Sequence, residues 1–221
     1  DDTAPYYSGW TGGGIRCNGV DNTTIIANCT IRHCSAIQEA NSGGGLAAWQ
    51  CGDLTLQNCT FEENSSLKNG GGLFLMNGAV HVTDCRFLSN TSTSMYGGAA
   101  FILQGSGLFT RCTFDGNTAT AGGAVCVILD TGTASLSVSD SLFSNNRAHL
   151  NSGNNGGALY LDGGGTTYSI ELPWFRQNYA QNAGTSGGAA YIGNGAQGSF
   201  INCLFDRCTA DLTTTGAGGA L

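Results

Sequence analysis

The sequence predicts an all-β fold, a single right-handed parallel β-helix: a solenoid with three sheets and about seven coils. Three observations predict it. A Gly-Gly pair followed by a small residue and then, in most copies, an aliphatic one begins at Gly12, Gly43, Gly70, Gly97, Gly122, Gly156, Gly187 and Gly218. These starts lie 31, 27, 27, 25, 34, 31 and 31 residues apart, which is the period of a stacked repeat. Between them runs a second marker, an aromatic or aliphatic residue with Asn or Cys three positions later. It reads Phe61/Asn64, Phe87/Asn90, Phe114/Asn117, Phe143/Asn146 and Phe175/Asn178, with Ile31/Cys34 and Phe205/Cys208 as outer variants. Finally, no segment keeps a helical i, i+3, i+4, i+7 apolar face beyond one turn.

Taken in order, residues 1–11 lack the repeat and form an arm or cap, and residues 12–221 form one repeat domain. Within each coil the first strand follows the glycines. Leu73 and Leu75, Ala100 and Ile102, Val125 and Val127, and Leu159 and Leu161 alternate with another column, so each pair points inward. The second strand carries Leu54 and Leu56, Val80 and Val82, Leu136 and Val138, Tyr168 and Ile170. A corner follows at Asn58, Asp84, Arg111, Asp140 or Asn202, where the inward phase shifts by one residue. The third strand carries Cys59 and Phe61, Cys85 and Phe87, Cys112 and Phe114, Cys203 and Phe205. The paired glycines suit a corner where φ is positive and a neighbouring coil comes close.

Composition narrows the function classes. The 221 residues include 36 Gly and only 10% charged residues, yet 41% are apolar and recur in register, which disfavours disorder. The net charge of -7, with no basic cluster, argues against nucleic acid as a partner. No apolar run is long enough to span a bilayer as a helix. The chain starts at Asp1 without a signal-peptide pattern, so it reads as a mature chain or a fragment. Ten Cys in a low-charge, Ser/Thr/Asn-rich chain favour an oxidising setting, extracellular or at the cell surface; the count does not separate disulfides from buried thiols.

The pairing of Gly-Gly-Ala-aliphatic with Phe-x-x-Asn resembles the repeat of the chlamydial polymorphic membrane proteins. The first motif stands here as Gly122-Gly123-Ala124-Val125, Gly156-Gly157-Ala158-Leu159 and Gly218-Gly219-Ala220-Leu221, the second as the five Phe/Asn pairs above. The resemblance covers about residues 12–221. It implies a right-handed parallel β-helix displayed at a cell surface with an adhesive role, although the export barrel of that family is missing from this chain.

For catalysis, β-helix lyases and hydrolases need clustered carboxylates or a calcium-binding acidic group with a basic partner. The acids Asp53, Asp115, Asp130, Asp162, Asp206 and Glu171 fall at different positions of the coil, and His33, His81 and His149 at unrelated ones. The expectation is therefore no enzyme. Metal and cofactor motifs are absent as well, since there is no CxxC, HxxxH or DxDxDG spacing.

The cysteines are more informative. Cys29, Cys59, Cys85 and Cys112 fall at one inward position of successive coils and should stack about 4.8 Å apart. The Asn of the second marker becomes Cys only at Cys34 and Cys208, each five residues after a ladder cysteine, Cys29 or Cys203. That coincidence predicts Cys29–Cys34 and Cys203–Cys208 disulfides, while Cys17, Cys51, Cys59, Cys85, Cys112 and Cys126 stay open. Among sequons, Asn22 is the best glycan acceptor, then Asn28 and Asn58. Asn64 and Asn90 should instead bond the corner backbone.

Two function classes remain. One is a noncatalytic extracellular structural or adhesive module; the other is a carbohydrate-active β-helix enzyme. Beside the inward Leu73 and Leu75 lies an outward apolar stripe: Phe74, Phe101, Cys126, Tyr160 and Tyr191, then Trp49, Met76, Leu103 and Ile128. Such a stripe predicts contact with a protein partner or with sugar rings, unless a loop of the same chain lies over it. The chain stops at Leu221, at the start of another coil. An open coil end is a template for pairing, so a continuing solenoid or a head-to-tail assembly is expected, with Tyr6, Tyr7 and Trp10 completing a neighbour's coil.

Overall fold

The computed structural model describes residues 12–37, 42–129, 132–149, 155–181 and 186–210. They form a parallel β-solenoid of 28 strands in four seven-stranded sheets. The first coil is β1 (Ile15–Asn18), β2 (Ile25–Ala27), β3 (Thr30–Arg32) and β4 (Ser35–Ala36). The pattern repeats up to β25 (Ala190–Gly193), β26 (Gln197–Ile201), β27 (Leu204–Asp206) and β28 (Thr209–Ala210). Each strand pairs in parallel and in register with its equivalent in the next coil, as Phe61, Phe87 and Phe114 do.

Two expectations are corrected. There are four sheets rather than three, because two residues after each Phe-x-x-Asn also pair with their equivalents. A strand of two residues is too short to show alternation, so the pattern hid it. The chain also makes about six turns rather than seven: six separate β1 from β25, and the last copy, from Gly218, lies outside the described residues.

The inward phases hold. Leu73, Leu75, Val80, Val82, Phe87 and their equivalents in the central coils are fully buried in one continuous core. Within it the Phe column stacks ring on ring, with centroids 4.8, 5.1, 4.5, 4.9 and 4.9 Å apart from Phe61 to Phe205. Offset stacking of this kind adds to simple burial.

The Asn column forms a buried ladder. Asn90 Nδ2 donates to the Phe61 carbonyl at 2.9 Å and to Asn117 Oδ1 at 3.0 Å, while the Asn90 backbone N–H donates to that same oxygen at 2.9 Å. The unit repeats from Asn64 to Asn178. Each amide thus satisfies a corner that would otherwise bury unpaired backbone groups. At the glycine corner the second residue of each pair abuts the next coil: a Cβ on Gly71 would lie 2.5 Å from Gly98 O.

Candidate functional site

The site lies where the second sheet turns into the third. Its centre is the run from β22 (Thr166–Glu171) through Leu172 and Pro173 into β23 (Trp174–Arg176). Phe175 points into the core, so alternation sends Trp174 and Arg176 outward. In register along the third sheet, Trp174 sits between Leu142 of β19 (Leu142–Ser144) and Leu204. In the earlier coils the same outward column is Thr30, Thr60, Arg86 and Thr113, which is polar. The surface therefore changes character from the fifth coil onward.

The corner column shows the same departure. Asn28, Asn58, Asp84, Arg111, Asp140 and Asn202 all hold positive φ, between 49° and 56°, and Leu172 joins them at 61°. Asn and Asp tolerate this left-handed backbone well, whereas Leu does so at a cost. Leu172 is nonetheless 53% exposed, beside Trp174 at 58%, Leu204 at 46% and Ile201 at 44%. These are large apolar side chains that gain nothing from the core. Pro173 fits the next position because it has no N–H to satisfy. In other coils that N–H needs a partner: Cys59 N donates to Cys85 Sγ at 3.3 Å and Cys112 N to Ser141 Oγ at 3.0 Å.

Trp174 is a wall of two open clefts. The larger, about 400 Å³, is bounded also by Leu142, Leu172, Thr113, Ser141, Asp140 and Arg111. The smaller, about 190 Å³, lies between Trp174, Leu204, Arg176 and Asp206. Ion pairs mark the edges. Arg111 grips Asp84 with Nε at 2.7 Å and Nη2 at 2.9 Å, and this hydrogen bond holds the Asp84 carboxyl below its usual range. Arg176 Nε lies 3.8 Å from Asp206. At the base of the larger cleft, burial pushes the Cys112 thiol up to about 11.

The family model for a right-handed β-helix region matches residues 6–171, well over half of the 221. The chain belongs to the right-handed β-helix family. No curated protein and no solved structure matches it.

On this β-helix the predicted sites fare unequally. The Cys29–Cys34 and Cys203–Cys208 bonds are not formed, and all ten cysteines are free thiols. Cys29 and Cys34 flank the extended β3, as Cys203 and Cys208 flank β27. Three extended residues alone span roughly 10 Å, beyond the reach of a disulfide at about 7 Å between Cα atoms. The coincidence has another cause, since both positions in the Asn column cap the ladder. Cys208 Sγ accepts from Asn178 Nδ2 at 3.8 Å and donates to Phe175 O at 3.4 Å, while Cys34 N donates to Asn64 Oδ1 at 3.0 Å.

The predicted contact stripe is closed only in part, since Trp49, Leu103, Ile128, Tyr160 and Tyr191 stay half-buried. Phe74, Met76 and Phe101 are nearly inaccessible and form a second apolar cluster with Ala47 and Cys126. Trp49, Leu103, Ile128 and Tyr160 pack against it, and Tyr191 stacks on Tyr160 at 5.0 Å. Tyr96, from the segment leading into the fourth coil, stacks over Phe101 at 6.3 Å and Tyr160 at 6.0 Å. The outward phase was right, but Tyr96 and the neighbouring side chains close over the centre of the face.

Of the sequon residues, Asn22, Asn28 and Asn58 are all exposed, but Asn58 Nδ2 already donates to Asn28 Oδ1 at 2.8 Å. Asn22 Oδ1 accepts from Asp53 N at 3.1 Å. Tyr6, Tyr7, Trp10 and Leu221 lie outside the described residues. His33 meets Glu63 at 3.2 Å and His81 meets Asp53 at 3.9 Å, in coils far from Trp174, whereas Asp140 and Glu171 lie exposed in adjacent coils at the corner itself. Among the described residues no three His, Cys, Asp or Glu side chains gather as a metal-holding group. Sequence reasoning missed Trp174, although one signal pointed to it: the residue before each core Phe faces out, and from Leu142 onward that residue is apolar.

Proposed function

We propose that this β-helix is a noncatalytic extracellular module, structural or adhesive, that engages a macromolecular partner through the corner around Trp174. One observation supports this above the rest: four large apolar side chains, Leu172, Trp174, Ile201 and Leu204, stand exposed on a rigid, in-register scaffold. Contiguous apolar surface of this kind, rimmed by ion pairs, is characteristic of contact surfaces. The motif likeness to chlamydial polymorphic membrane proteins supports surface display.

The alternative, a carbohydrate-active enzyme, draws on Arg111 and Asp140 lining the same cleft as Trp174. Hydrolysis there would need two carboxylates at working distance, and Asp140 with Glu171, exposed in adjacent coils of the same corner, are the pair that would have to supply them. A paired experiment separates the two readings. Beads coated with the chain are expected to adhere to cultured cell monolayers, and beads carrying Trp174→Ser with Leu204→Ser are not. Equal adhesion of both, or release of reducing ends from polysaccharides, would reject the adhesive reading.

A further inference from the structure

Trp174 separates two clefts, each lined in part by leucine, and this arrangement narrows what can occupy them. We infer that the corner seats an extended apolar segment of a protein partner, with one side chain in each cleft and a basic residue beside them. The inference rests on the binding role proposed above and specifies its occupant.

The apolar part of the lining comes first. Leu142 and Leu172 line one cleft and Leu204 the other, with Ile201 exposed nearby. A sugar ring gains from stacking on an indole, but exposed Leu and Ile gain only when apolar groups displace their water. A protein segment supplies such groups, and a saccharide rimmed with hydroxyls does not.

The polar groups agree. Arg111 is held by Asp84 through two hydrogen bonds, and Arg176 lies against Asp206, so both guanidinium groups already have partners. They form a polar rim round a Trp anchor, as at protein interfaces. Asp140 and Glu171 are exposed at the same corner, and the chain carries a net charge of -7. A partner with Lys or Arg next to its apolar residues complements that field.

The span between the flanking leucines admits an extended chain. Leu142 and Leu204 lie one coil below and above Trp174, so they are roughly 9.6 Å apart. In an extended segment, side chains two residues apart share a face at roughly 6.8 Å. Such a segment, laid along the solenoid axis, straddles the indole. Leu172 supplies the last support: it is the one residue of its corner column without a polar side chain, and it is held at φ 61° where Asn serves elsewhere. Backbone strain retained for an exposed side chain points to function.

The test uses the intact chain and two defined probes, a phage-displayed library of random twelve-residue peptides and a panel of neutral and acidic oligosaccharides. Enriched peptides are expected to carry apolar residues two apart with Lys or Arg adjacent. Their affinity is expected to fall at least tenfold with Trp174→Ser or Leu204→Ser, and to be unchanged with Arg86→Ala, which lies in the same column three coils away. Leu172→Asn should weaken peptide binding while raising the melting temperature, an opposition that a merely structural role would not produce. Circular dichroism confirms that each variant is folded. Trp174-dependent binding of an oligosaccharide instead of peptides overturns this inference and leaves the binding role standing. No Trp174-dependent binding of either probe overturns both.

Discussion

Two apolar faces of this solenoid have opposite fates. The outward face of the first sheet carries Phe74, Met76, Phe101 and Cys126, and all four are buried under the chain's own segments. The corner of the second and third sheets carries Leu172, Trp174, Ile201 and Leu204, and all four are open. Strand alternation assigns both sets outward and cannot tell them apart. Connection length does: the segments that return to the glycine corner are long enough to lay Tyr96 over Phe101, whereas between Glu171 and Trp174 only Leu172 and Pro173 intervene. An outward apolar stripe on a solenoid is thus a surface only where the neighbouring corner is tight.

The sharpest test of that contrast is stability. Phe101→Ala should cost about 3–5 kcal/mol, because it opens a cavity in a closed layer. Trp174→Ala should cost less than about 1 kcal/mol, since the side chain makes no comparable buried contacts. Guanidinium denaturation of both variants checks it. Equal losses would mean that the two faces are not different in kind.

The Asn ladder provides the next effect. Asn117 accepts from Asn90 twice and donates to Phe87 O and Asn146 Oδ1, all inside the core. Asn117→Leu is expected to cost about 3 kcal/mol by stranding buried partners. Asn58→Ala, at an exposed corner, should stay within about 1 kcal/mol. Thermal unfolding of the two variants measures the difference.

Much of the fold was legible because the repeat is written in chemistry. Gly-Gly marks the tight corner, Phe the core column and Asn the ladder, and each recurs at one place per coil. What escaped notice lacked periodic contrast. The fourth sheet is two residues per coil, below the length at which alternation exists. The disulfide prediction failed because two cysteines near in sequence are not near in space when an extended strand lies between them. The site was only half legible. Trp174 could be assigned outward from Phe175, but its exposure depends on what other segments cover, and local pattern carries no record of that.

Thiol chemistry tests coverage directly. Burial pushes Cys126, beneath the covered face, well above its usual value, and pushes Cys85 up to about 12. Cys29 is exposed. Iodoacetamide at pH 8 should therefore modify Cys29 first and leave Cys126 intact, as peptide mass mapping would show, and rapid labelling of Cys126 would mean that the face is open. In a separate unlabelled sample, denaturation without reductant should expose all ten thiols. The same shifts set an alkaline limit. Because folded Cys85 and Cys112 are raised above the 9.0 of an ordinary thiol, their contribution is whole below pH 9.0. It is lost as pH rises toward 11 and 12, at up to about 1.4 kcal/mol per pH unit for each thiol. Cys112→Ser, which copies Ser141 of the same column, should flatten that decline.

The smallest expected effect bears most closely on function. Leu172 holds a left-handed backbone at φ 61° in a column where Asn28, Asn58 and Asn202 hold nearly the same angle. Leu suffers steric strain there between its Cβ and its own backbone, and Asn suffers less because its short amide can bond locally. Little packing is lost by replacing it, since Leu172 is 53% exposed. Leu172→Asn should therefore stabilise the solenoid by about 1 kcal/mol, and Leu172→Gly, which removes the Cβ but loosens the unfolded chain, by less. Calorimetry can resolve a shift of this size. If Leu172→Asn destabilises instead, the leucine is a packing residue and the open corner is part of the fold's own closure; if it stabilises, the strain is retained for something outside the chain.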